Sequence, residues 1–124
     1  MYYPLGGGIA AALAKCVPGL DATAEVTGGS VANLQLIDGG KSEMGFTMAD
    51  SARDAYNSLE KFKDKEVSLR TLVVVYPNRM QVVTVEGRGI EKIADLRGKR
   101  ISACAPASGT EVMAVQLLEA NGEV

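Results

Sequence analysis

Alternation of β-branched runs with helical segments predicts an α/β fold with a mostly parallel sheet. Three observations carry that reading. Residues 69–76 (LRTLVVVY) are rich in Leu and Val, the pattern of a strand buried on both faces. Breakers punctuate the chain: Pro18-Gly19, Gly28-Gly29, Gly39-Gly40, Pro77-Asn78 and Arg97-Gly98. Between them the order reads helix, strand, helix, strand, helix, strand, strand, helix, strand, helix.

The first helix spans 5–17 (LGGGIAAALAKCV), with Pro4 suited to its start and Pro18-Gly19 to its end. Residues 21–27 alternate as a short strand. A Gly28-Gly29-Ser30 turn hands over to a helix at 31–38, apolar at Val31, Leu34 and Ile37 and closed by Gly39-Gly40. Residues 43–48 (EMGFTM) read as a buried strand. Asp50 or Ser51 then caps a helix running to about 59. A charged connector at 61–66 leads to the strand at 69–76. Residues 80–85 (MQVVTV) form another strand, 90–96 a short helix, 100–104 a strand, and 111–121 the last helix.

The chain has 124 residues, 47% of them hydrophobic and 23% charged, which suits a folded domain rather than a disordered tail. A net charge of −2 with scattered Lys and Arg gives no basis for nucleic-acid binding. No apolar run reaches the length of a membrane span, and Met1-Tyr2-Tyr3-Pro4 does not open a signal peptide. The sequence holds no His, so the usual general base and transition-metal ligand are missing. Neither a metal nor a cofactor is expected. Cys16 and Cys104 lack a metal or redox spacing and read as small buried hydrophobes.

Chemistry concentrates where a strand hands over to a helix. At Cys104-Ala105-Pro106-Ala107-Ser108-Gly109-Thr110 a strand ends and a helix begins, leaving N–H groups free at a helix N-terminus, a ready anion site. Gly109 permits close backbone approach, and Ser108 and Thr110 add hydroxyls. The plainer reading makes Ser108 an ordinary N-cap. Thr27, Gly28, Gly29 and Ser30 build a second such junction, with a tight turn and cap as its plain reading. Asp50 either caps its own helix or accepts from a ligand ammonium group. Arg79 and Arg88 are solvated charges or, alternatively, partners for a second carboxylate.

The motifs taken together resemble the TAXI-type solute-binding receptors of TRAP transporters. They are Tyr2-Tyr3-Pro4-Leu5-Gly6, Val17-Pro18-Gly19, Thr27-Gly28-Gly29-Ser30-Val31 with Asn33-Leu34, Gly45-Phe46 with Asp50, Tyr76-Pro77, Ile93 through Arg100 (IADLRGKR), and Ala105-Pro106-Ala107-Ser108-Gly109-Thr110-Glu111. The match runs in order along essentially the whole chain. It implies a two-lobed fold of the periplasmic-binding-protein type II kind (a Venus flytrap), with 1–84 in lobe one and 85–124 spanning the hinge crossing and the start of lobe two. Against the family pattern the chain lacks a signal peptide, the first strand with its Gly-rich turn ahead of Tyr2, and everything beyond Val124. The resemblance therefore implies a truncated receptor. Its strands at 21–27 and 43–48 would have open edges, inviting pairing with a second copy as a strand-swapped homodimer.

The resemblance also implies a periplasmic parent protein that captures a small organic acid or amino acid, glutamate-like, and docks on TRAP membrane subunits. The ligand-binding candidates are Tyr2, Tyr3, Gly29, Ser30, Asn33, Asp50, Ser108, Gly109 and Thr110. Asn33 enters through the resemblance, as a solvated helix residue otherwise. One of Tyr2 and Tyr3 is expected to face the ligand. The alternatives are the effector-sensing domain of a regulator and a fragment that does not bind. An enzyme is not expected: the one conceivable activated nucleophile is Cys104, with no evident base.

Overall fold

Residues 2–122 are described by a computed structural model. Four α-helices and two 3-10 turns make up their regular structure: α1 (Tyr2–Cys16), α2 (Ser30–Asp38), α3 (Ala49–Tyr56), the turns Glu60–Phe62 and Ile93–Leu96, and α4 (Gly109–Ala120). Each helix lies where the sequence pattern puts one. Termination of α2 follows from its glycines. Gly40 adopts a positive φ of 65° and donates to Ile37 O, while Lys41 N–H reaches back to Leu36 O at 2.8 Å. This is the paired 5→2 and 6→1 bonding that a left-handed residue after a helix allows.

The sheet does not form. Among the described residues no segment is a strand, and the expected strands at 21–27, 43–48, 69–76, 80–85 and 100–104 all lack ladders. The α/β expectation, and with it the truncated Venus-flytrap lobe, is thus corrected to a helical architecture. The physical reason is that Val-rich alternation measures fitness for a half-buried pleated surface, not the presence of a neighbour. A strand gains its hydrogen bonds only from a second strand. Residues 65–85 run without helix, turn or bend, yet none of the backbone groups of 71–75 or 81–85 bonds to another described backbone group. The stretch read as doubly buried is instead open to water, with Val74 83% exposed.

One further expectation falls, that of buried cysteines. α1 buries no residue. It meets the rest of the chain through Tyr2, whose ring stacks on Phe46, and at Gly6, where an added Cβ would stand 3.4 Å from Phe46 and 3.6 Å from Ala24. Cys16 and Cys104 are both exposed free thiols rather than buried hydrophobes.

The core is small and lies under α2, α3 and α4. Val31, Leu34, Ala55, Phe62, Val67 and Val112 form it, with Leu69 and Ala107 packed alongside. Val67 N–H donates to Ala55 O at 3.0 Å, which pins the connector to α3. Asp54 is buried and paired with the Arg53 guanidinium at 3.0 Å. Lys65 pairs with Asp38, tying the same connector to the end of α2.

Candidate functional site

The two glycine–serine junctions meet. Ala32 N–H, in the first turn of α2, donates to Ala107 O at 3.3 Å, just ahead of α4. A Cβ added to Gly29 would stand 3.1 Å from Ser108 Cα, and one at Gly28 would stand 2.9 Å from Pro106 O. Gly29 also has a φ of 127°, a left-handed conformation that side chains rarely adopt. The double glycine therefore lets two helix N-termini abut.

The entry to α3 joins them through Met48. Ser30 is buried, and its Oγ accepts from Met48 N–H at 3.1 Å. A Cβ at Gly109 would overlap Met48 Sδ and stand 2.8 Å from Ser30 Oγ. Gly109 is thus required by packing at this three-way junction.

Ser108 caps α4. Its Oγ accepts from Glu111 N–H at 3.1 Å, while Glu111 Oε2 accepts from Ala107 N–H at 2.9 Å. This variant of the capping box satisfies two donors around the first turn. Thr110 is exposed beside it. Asp50 does not cap by position, since Met48 is the N-cap of α3. Its carboxylate accepts from Ser51 N–H at 2.7 Å, and an acidic group in a first turn complements the helix dipole.

After these bonds, several first-turn donors still find no acceptor among the described residues. They are the N–H groups of Ser30 and Val31 on α2 and of Gly109 and Thr110 on α4. Two abutting helix N-termini therefore hold four such donors within one junction, with Ser30, Val31 and Gly109 buried and Thr110 exposed.

A polar and aromatic chain runs outward from it. Asn33 is no solvated residue: its Oδ1 accepts from Thr27 Oγ1 at 2.5 Å and its Nδ2 donates to Phe46 O at 2.6 Å. Gly29 N–H also donates to Thr27 Oγ1, at 3.3 Å. The Phe46 ring stacks on Tyr2, with centroids 5.6 Å apart, and Tyr2 leans on Tyr76 at 6.2 Å. Tyr2 Oη accepts from Asn78 Nδ2 at 2.8 Å. Desolvation, and after it the neighbouring Tyr2, push the Tyr76 phenol above its ordinary value of 10.0. Of the two tyrosines, Tyr2 belongs to this chain and Tyr3 is exposed. Sequence reasoning passed over Met48, Asn78 and the Phe46 ring as site neighbours. The only signals at hand were Phe46 beside Gly45 and Asn78 directly after Pro77.

An open groove of about 450 Å³ lies next to the first junction. It is lined by Thr27 and Gly28, by Ala32, Gln35 and Leu36 of α2, and by Glu25 and Lys41 at its charged margin, among others. Arg79 and Arg88 are exposed. Among the described residues no three of His, Cys, Asp and Glu come together as a metal site. No helix among them is long and apolar enough to cross a membrane.

A sequence model of the NMT1-like family matches residues 1–123. The chain belongs to this family. The NMT1-like family is periplasmic-binding-protein-like, so the chain is in general terms a solute-binding protein for small molecules. NMT1-like binding proteins are typically extracytoplasmic. The match takes in both junctions and the aromatic chain between α1 and Phe46.

Proposed function

We propose that this NMT1-like chain serves as an extracytoplasmic solute receptor of the TAXI type, delivering a small organic acid or amino acid to TRAP membrane subunits. The observation that carries the reading is the set of four unclaimed N–H donors where α2 and α4 abut. A carboxylate accepts from such donors without a cation, and each helix N-terminus contributes about 0.3–1 kcal/mol through its dipole. Thr110 supplies an exposed hydroxyl beside them. Asp50, in the first turn of α3, would suit an ammonium group, which favours an amino acid such as glutamate over a simple diacid. Tyr2, held by Phe46 and Asn78, is the aromatic ready to border the ligand. Binding without chemistry is the further expectation: the chain has no His, and the Ser108 hydroxyl already receives an N–H of its own helix. The motif series from Tyr2-Tyr3-Pro4 to Ser108-Gly109-Thr110-Glu111 supports the TAXI assignment.

Thermal melts of the chain with glutamate, glutamine and C4–C5 dicarboxylates test the reading, with equilibrium dialysis alongside. A melting temperature that rises with one of them, and rises less as salt is added, is expected. No rise and no retained ligand across the panel would overturn it.

A further inference from the structure

The groove along α2 is a cavity that the junction donors do not use. Val31 and Leu34 turn one stripe of α2 into the core. Ala32, Gln35 and Leu36, spaced i, i+3, i+4, share another stripe and line the groove. Its volume of about 450 Å³ falls within the range of small-molecule sites, roughly 300–1,000 Å³. Glu25 and Val26 line it from the segment ahead of Gly28, with Val26 72% exposed. The glycine stop of α2 brings Lys41 to it, since Lys41 N–H is held by Leu36 O at 2.8 Å.

The charges of this groove are unspent. Glu25 and Lys41 bring one carboxylate and one ammonium group to the same cavity, yet among the described residues neither forms an ion pair, with the other or with a third residue. Between them the lining is largely carbon, from Val26, Ala32 and Leu36.

We propose that the groove binds a free α-amino acid with an apolar side chain, its ammonium group on Glu25, its carboxylate on Lys41 and its side chain along Val26 and Leu36. Charge complementarity selects this occupant. A simple acid would leave Glu25 unmatched beside its own carboxylate, and a simple amine would leave Lys41 so. A zwitterion answers both. The Gln35 amide can donate to the carboxylate or accept from the ammonium group. A second charge on the ligand side chain would face Val26 and Leu36, which sets this occupant apart from the glutamate-like solute of the junction. The site also stands apart in residues, because none of its members supplies a first-turn donor there.

An amide NMR titration of the full chain with leucine tests the proposal, with 4-methylpentanoate and 3-methylbutylamine as the analogues that keep one charge each. Saturable shifts at the Ala32, Gln35 and Leu36 amides are expected with leucine, and much weaker ones with either analogue. Glu25→Gln and Lys41→Gln should each weaken leucine binding about two- to fivefold, the size of an exposed ion pair. Both residues are exposed and outside the core, so the fold is kept, which circular dichroism checks. No saturable shift at these three amides overturns the proposal. So does an analogue that binds as well as leucine, or an affinity that neither variant changes. Leucine shifts confined to the amides of Ser30, Val31, Gly109 and Thr110 count against the groove while leaving the receptor reading standing.

Discussion

Replacing Gly109 by Ala places a methyl group where three helix entries meet. The added carbon overlaps Met48 Sδ, stands 3.1 Å from Met48 Cγ and lies 2.8 Å from Ser30 Oγ. Ser30 Oγ is held by Met48 N–H, so relaxing one contact disturbs the other. Overpacking of this kind costs about 1–3 kcal/mol. Against it stands the better helix propensity of Ala, worth at most about 1 kcal/mol and less at a first helical position. The net expectation is a loss of about 1–2 kcal/mol, or roughly 4–8 °C in melting temperature for a chain of this size. Gly7→Ala is the control, because it also sits in a helix and an added Cβ there meets nothing within 4 Å. It should be neutral or raise the melting temperature by a few degrees. Shortening Met48 in the Gly109→Ala background should recover part of the loss, since the two sites share one contact. Melts of the parent chain and these three variants by circular dichroism decide the matter. Equal gains from Gly109→Ala and Gly7→Ala would refute the packed junction.

Ser108→Ala removes the cap of α4 and should cost about 1 kcal/mol, seen as a drop of roughly 4 °C in the same melts. Ser51 Oγ is buried without a partner among the described residues, so Ser51→Ala should leave stability unchanged or raise it slightly, the reverse of Ser108→Ala. Backbone N–H bonds from Glu91 and Lys92, helped by the charges of Lys92 and Lys99, hold the Asp95 carboxyl below its ordinary 3.8. Its folded value lies under its unfolded one, so its support of the 91–95 turn is present above about pH 4 and fades as pH falls through the lower folded value. An NMR titration should give an Asp95 midpoint below 3.8, with the Glu91 and Lys92 amides shifting in step; a midpoint at or above that value contradicts the bonding.

Local chemistry was the legible part of this sequence. Ser30–Asp38 and its Gly39-Gly40 stop follow from periodicity and from the one residue type that tolerates a left-handed turn. Ser108 was legible as an N-cap from its place at the turn before the last helix, the plainer of its two readings. The roles of Gly29 and Gly109 were legible only in part. Their glycines signalled close approach, yet what approaches is Ser108, Ser30 and Met48, and such contacts between distant segments leave no local trace. Asn33 was undervalued for the same reason, since both its partners are fixed by folding rather than by spacing. The strands misled because an apolar run such as 72–75 (LVVV) states what a residue would do beside a neighbour, and no ladder forms among the described residues.

The measurement closest to the central claim is an amide NMR titration of the chain with glutamate. The account predicts saturable shifts centred on the N–H groups of Ser30, Val31, Gly109 and Thr110, smaller ones at Asn33, and none along 111–122 beyond the first turn of α4. Saturable shifts confined to other segments, or no shifts at all, would contradict it.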